Sequence, residues 1–156
     1  IRNHSLKTGE AEEMEKKSIQ DIINAFNNQK FMKFINAEIS INEPGLCEIS
    51  IERGEELTQQ HGLFHGGVIS TLADNSAAFA ATSLMEKKRE PLTIECKVNF
   101  INIADGTRLW AIGKVLSAGK RIFHAEAKVF TNSDNGSKLC AMALLTIKST
   151  LRVEEI

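Results

Sequence analysis

The residues best able to do chemistry together lie in one stretch, QQHGLFHGGVISTLADNSAAFAA, from Gln59 to Ala81. Gly66-Gly67 opens an alanine-rich segment with helical character. The first N–H groups of a helix lack partners and carry partial positive charge. Glycines there leave room for a ligand carbonyl to approach them. Such donors suit an oxyanion forming as an ester-type bond is cleaved. Asp74 is the one charged residue among the 18 positions Val68–Met85. A carboxyl drawn away from water holds its proton more tightly, which makes a better base at neutral pH. A lone acid in a buried helix either bonds a neighbouring loop or works as base or nucleophile, and the residues alone leave both readings open. His65 is expected to cap the helix or orient a loop in preference to acting as a base. His61 and His65 are four apart, like metal ligands on a helix, but Gly62, Gly66 and Gly67 argue against a helix there. No third ligand is evident, so no metal is expected.

These residues need a scaffold, and the periodicity outlines one. Met14, Ile19, Ile22, Ile23 and Phe26 recur at helical spacing, predicting an amphipathic helix over Glu10–Lys30. Ile35–Ile41 and Leu46–Ile51 alternate around Glu43-Pro44-Gly45 and predict a hairpin. Gly54–Gly67 is expected to be a loop. The central helix follows, closed by Lys87-Lys88-Arg89 and by Pro91, which cannot continue a helix. Leu92, Ile94, Cys96, Val98 and Phe100 then alternate with Thr93, Glu95, Lys97 and Asn99, a strand pattern. Further strands are expected at about Arg108–Leu116, Arg121–Phe130 and Leu139–Lys148. The links Asp105-Gly106, Gly119-Lys120 and Asn135-Gly136 are read as tight antiparallel turns. The sum is an α+β architecture: one long buried helix against an antiparallel sheet of about six strands, mostly a meander.

The 156 residues suit one domain able to bury a core without staples. We divide them into an N-terminal helical segment (1–30), a main domain (31–150) and a C-terminal tail (151–156). A net charge of −1 gives no general field for nucleic acid or anionic membrane, so neither is an expected partner. Val68–Met85 contains Asp74, Asn75 and several hydroxyls and reads as a core helix, not a membrane span. Cys47, Cys96 and Cys140 fit no disulfide framework or zinc spacing. With no apolar leader after Ile1-Arg2-Asn3-His4, the expected location is cytoplasmic.

The pattern His61-Gly62-x-x-His65-Gly66-Gly67-Val68-x-x-x-Leu72-Ala73-Asp74 resembles the signature of PaaI-type thioesterases. These belong to the hotdog-fold (4-hydroxybenzoyl-CoA thioesterase-like) superfamily. Thr93–Phe100, Gly119-Lys120-Arg121 and Ala141–Leu144 extend the resemblance over roughly residues 31–148. It implies hydrolysis of an acyl-CoA thioester without a cofactor. Asp74 would be general base or nucleophile, and the Gly66 amide would polarise the carbonyl. Gln59, six residues before His65, and Thr93, early in the third strand, would assist. Many relatives have Asn at the position of Gln59, so the amide here stands about one bond length further out. Gly67 would contact substrate, and Lys120 and Arg121, which read otherwise as solvated charge, could meet the phosphates of CoA. The family also implies a homodimer, or a dimer of dimers, in which the strand Leu92–Asn102 pairs with its own copy. Gly66 and Gln59 of one subunit would then join Asp74 and Thr93 of the other.

Two other functions fit parts of this pattern. A hotdog dehydratase or hydratase would be expected to carry a proline in the loop after the motif histidine, and no proline occurs between Gly45 and Glu90. A non-catalytic acyl-CoA binding module would have no use for an isolated acid such as Asp74.

Overall fold

The computed structural model describes residues 15–152. Helices α1 (Ile19–Asn28) and α2 (Lys30–Phe34) precede strands β1 (Glu38–Glu43) and β2 (Leu46–Glu52). A short 3-10 turn over Glu55–Leu57 leads to the central helix α3 (Gly66–Thr82). Strands β3 (Arg89–Phe100), β4 (Arg108–Ala118), β5 (Ile122–Ser133) and β6 (Gly136–Leu151) complete the chain. They form one six-stranded sheet in the order β1-β2-β4-β5-β6-β3, with every neighbouring pair antiparallel. A long helix against this sheet is the hotdog arrangement expected from the sequence.

The core lies between α3 and the sheet. Leu72, Ala73, Ala77, Ala80 and Ala81 of α3 are fully buried against Ile49, Ala111, Ala127, Val129 and Ile147. The alanines permit close packing, and at one point even a methyl group would be too much. A Cβ placed on Gly113 of β4 would lie 2.2 Å from the Ser76 carbonyl carbon, so α3 rests on β4 backbone to backbone.

Several boundaries differ from the sequence expectation. The helix expected over Glu10–Lys30 is shorter, α1 alone from Ile19 to Asn28; a second helix, α2, begins at Lys30, and residues 10–14 lie outside the described region. Ser18 starts α1 with a capping box: its hydroxyl accepts the Asp21 N–H while the Asp21 carboxylate accepts the Ser18 N–H. Gln29, in an extended conformation, breaks the helical path before α2. Lys87-Lys88-Arg89 does not close α3. The helix ends at Thr82 with no basic residue in its last turn, and the Ser83 hydroxyl donates to the Ala80 carbonyl instead. Pro91 sits inside β3, tolerated because that strand is at the sheet edge. Asp105-Gly106 is no hairpin turn, because β3 and β4 belong to different parts of the sheet and the connection crosses between them. Arg53 holds that crossing by donating to the carbonyls of Asp105 and Gly106.

The strict alternation expected in β3 also fails, with consequence for the site. Thr93 pairs with Ile147, but the next aligned pair is Glu95 with Thr146, leaving Ile94 as a bulge. Ile147, Leu145, Ala143 and Ala141 are all buried on the helix side of the sheet. Their partners Thr93, Cys96, Val98 and Phe100 therefore share that side. Alternation alone would have set Thr93 opposite Cys96. The bulge turns Thr93 toward α3.

Candidate active site

The motif residues fall into two groups at different points along α3. At its N-terminus His65 is the cap, and its Nδ1 accepts the Gly67 N–H at 2.9 Å. The expected capping role of His65 is therefore present in the geometry. It also occupies the Gly67 amide, which is not left open to a ligand as the sequence suggested. A Cβ on Gly67 would lie 2.9 Å from that same Nδ1, so the absent side chain makes room for the cap. The Gly66 N–H, one position earlier, has no acceptor among the described residues. It borders a hollow of about 400 Å³ that Gln59, Ile69, Phe100 and Ile103 also line. The Gln59 side-chain carbonyl accepts the His61 N–H at 2.6 Å, which fixes the side chain and leaves its NH₂ as donor.

Asp74 lies two turns further on. It is half-buried, not enclosed as its neighbours in sequence suggested. The Thr93 hydroxyl donates to its Oδ1 at 2.7 Å, so the bulged strand orients the helix acid. Cys96, on the same side of β3, has a thiol held above its usual range, first by removal from water and then by the negative charge of Asp74; the residue is nonetheless partly exposed. Burial pushes the Cys47 thiol up to about 12, with Glu48 adding to it. That favours the protonated thiol over the thiolate a nucleophile needs.

Asp74 and Thr93 open onto a second hollow, of about 530 Å³, which contains neither Gly66 nor Gln59. Eight residues of helix separate Gly66 from Asp74 by about 12 Å along the axis and about 80° around it. The two cannot reach one carbonyl within a single chain. The second hollow is closed on one side by α1, a wall that the sequence analysis did not assign to the site. Ile22 and Phe26 anchor that helix in the core, with the Phe26 ring edge-on to Phe79 of α3 at 5.3 Å between centroids. Asp21, Asn24 and Asn28, beside them on α1, line the cavity. In the sequence this stripe has the spacing of any solvated helix face. Cations line this hollow as well. Lys17 lines the hollow bound to Glu90 at 2.8 Å, and Lys87 lines it bound to Glu15 at 3.0 Å. Lys120 and Arg121 are exposed at the β4–β5 turn and line neither hollow. Among the described residues no group of three or more His, Cys, Asp or Glu could hold a metal.

A family model described as the thioesterase superfamily matches residues 61–138, from His61 of the motif through the start of β6. The chain belongs to the thioesterase superfamily. A thioesterase family protein from Silicibacter pomeroyi is 33% identical and superposes with a TM-score of 0.82, over 85% of this chain and 98% of that one. A protein of Saccharolobus solfataricus named as an esterase is 28% identical over 129 residues, 83% of each chain. The E. coli PaaI protein shares the fold at 18% identity, with a TM-score of 0.74 over 84% of this chain and 91% of its own. The superfamily's general chemistry is hydrolysis of thioesters, and this thioesterase has the fold and the motif expected of it. Among the described residues, no helix is long and apolar enough to cross a membrane.

Proposed function

We propose that this thioesterase hydrolyses an acyl-CoA to the free acid and CoA, in sites each shared by two subunits. The observation that carries the reading is the division of one motif between two hollows. A donor without an acceptor among the described residues, the Gly66 N–H, lies at one end, and a carboxylate oriented by Thr93 lies about 12 Å away along the helix. A two-fold axis beside the edge strand β3 would bring the first end of one subunit to the second end of its partner. The exposed apolar residues Leu92, Ile94 and Phe100 of β3 support pairing there, since such a strand would otherwise be open to uncontrolled association.

In the composite site the Gly66 N–H of one chain donates to the thioester carbonyl and stabilises charge on its oxygen. The Gln59 NH₂ is a second donor on the same side. Asp74 of the other chain takes a proton from water as the water oxygen bonds to the carbonyl carbon. When the C–S bond breaks, that proton passes to the departing sulfur, giving a carboxylic acid and the CoA thiol. Direct attack by Asp74 would give an anhydride that water then cleaves, with the same products. Thr93 holds one carboxylate oxygen and leaves the other to react. Lys120 and Arg121 are candidates for the CoA phosphates, because their exposed turn is free to meet a large anionic group. These steps draw only on protein groups and call for no cofactor. The unpaired Cys47, Cys96 and Cys140 favour a reducing cytoplasm.

Acetyl-, hexanoyl- and benzoyl-CoA, each mixed with purified protein and a thiol reagent, test the reading. Thiol release from at least one, lost in Asp74→Asn, is the expected result. If no CoA thioester is cleaved above the buffer rate, the reading fails.

A further inference from the structure

We propose that Asn75 is a further catalytic residue: its side-chain carbonyl holds the attacking water beside Asp74, so that Asp74 acts as the base and not as the nucleophile. This rests on the reading that a thioester is cleaved at Asp74. Asn75 is half-buried and lines the second hollow together with Asp74 and Thr93. Its NH₂ donates to the Thr71 carbonyl at 3.0 Å, one turn back along α3. Only the NH₂ can donate to a carbonyl, so this bond settles which way round the amide stands. Its Oδ1 is left as an acceptor with no donor among the described residues. Asp74 is set in a matching way: Thr93 occupies its Oδ1, and its Oδ2 accepts from no described residue. The Cα atoms of neighbours in a chain are about 3.8 Å apart. Two acceptor oxygens from adjacent residues therefore open on one cavity.

A water held by one acceptor can swing about that single hydrogen bond. Two acceptors fix both hydrogens and give the remaining lone pairs a set direction. In the step proposed, the hydrogen on Asp74 Oδ2 transfers as a proton while the water oxygen bonds to the acyl carbon. The carbonyl π pair moves onto its own oxygen, and the second O–H stays on Asn75. Collapse of the adduct breaks the C–S bond, and the proton leaves Asp74 for the sulfur. Attack by the Asp74 carboxylate itself would have no use for a neighbouring acceptor. The other α3 residues on this lining cannot take the place of Asn75. Ala78 and Phe79 carry no polar group, and Thr82 lies two turns from Asp74 with its hydroxyl donated to the Ala78 carbonyl at 2.8 Å.

The test uses whichever of acetyl-, hexanoyl- and benzoyl-CoA the wild type cleaves fastest. Asn75→Leu keeps the size of the side chain and removes the acceptor. It should lower kcat by about tenfold or more, the weight of one hydrogen bond to the reacting group. KM should stay within about twofold, because the contact is to water and not to the acyl-CoA. Asn75→Ser should regain most of the loss. Its hydroxyl can donate to the Thr71 carbonyl, as Ser70 does to Gly66 at 2.9 Å, and still offer lone pairs to a water. The thermal midpoint shows whether each variant is folded, and Asn75→Ala repeats the measurement if the leucine does not fit. A single turnover in water labelled with oxygen-18, with enzyme in excess, should put the label in the free acid and none in Asp74. Unchanged kcat in a folded Asn75→Leu or Asn75→Ala protein overturns the proposal, while the thioesterase reading survives. So does a loss confined to KM, a serine variant as slow as the leucine one, or label recovered in the peptide that contains Asp74. Failure of the wild type to cleave any CoA thioester overturns both.

Discussion

The two ends of the working part of α3 are built from different materials. At the first end the group proposed to act on the substrate is a backbone N–H, with side chains packed around it. His65 satisfies the neighbouring Gly67 N–H, and Phe100 closes the hollow beside Gly66. At Asp74 the proposed group is a side chain, aimed by another side chain from a bulged strand and walled by a separate helix. A backbone donor tolerates change in everything but bulk and helix geometry. A side-chain acid depends on each neighbour that orients it. The first end should therefore respond mainly to size, and the second to chemistry.

The largest expected effects come from testing each end in its own terms. Gly66→Val should reduce kcat by about 10²–10³, the loss typical of one displaced oxyanion donor. Its Cβ would already touch the Phe100 ring at 3.4 Å, so added methyls must crowd the carbonyl site. Asp74→Asn keeps size and changes chemistry, and should cost at least about 10² in kcat. A folded Asp74→Asn protein with unchanged turnover would remove Asp74 from catalysis. Thr93→Val, which keeps shape and deletes the hydroxyl that holds Asp74, should lower kcat by about tenfold while leaving the fold intact.

Whether the two ends meet across subunits can be read directly. Asp74→Ala and Gly66→Val homodimers should each be nearly inactive. Unfolded and refolded together, half of the dimers should be mixed, and each of those has one site with both defects and one with neither. Activity should return to about a quarter of wild type. Mixed dimers that form, shown by a mass tag on one chain, and stay inactive would refute the shared site. The smallest effect concerns His65. His65→Ala should cost about 1 kcal/mol of stability, measured by denaturant unfolding, because the cap is lost. His65→Asn supplies another capping acceptor and should restore both stability and turnover. An inactive but fully stable His65→Asn would instead make the imidazole a base.

The backbone-built end was the more legible in the sequence. Two glycines after a histidine, ahead of an apolar segment rich in alanine, allow few structures other than a capped helix start. The lone acid was legible too, but its surroundings were not. Asn24 and Asn28 of α1 have the composition of any solvated helix face, and only the packing of Phe26 on Phe79 shows that the face looks into a cavity. Thr93 was identified by family resemblance while its own strand pattern placed it on the wrong side. A bulge leaves no mark in an alternating sequence, because Ile94 is as apolar as the residues it displaces from register. Asp105-Gly106 failed for a related reason: a turn dipeptide specifies a local bend, not which strands lie on either side of it.

The contact of Ser76 with Gly113 places a fulcrum under the central helix. Ser76 lies two residues beyond Asp74 and ten beyond Gly66, so the helix rests on β4 near one reactive group and extends away toward the other. A side chain at position 113 would lift the rod at that point and tilt its long arm. Gly66 would swing further than Asp74, although the substituted residue lines neither hollow. In a dimer the same displacement would occur twice, once in each helix, and every site would feel both. The alignment of the two groups proposed to act on the substrate thus depends on one hydrogen atom in the middle of the sheet.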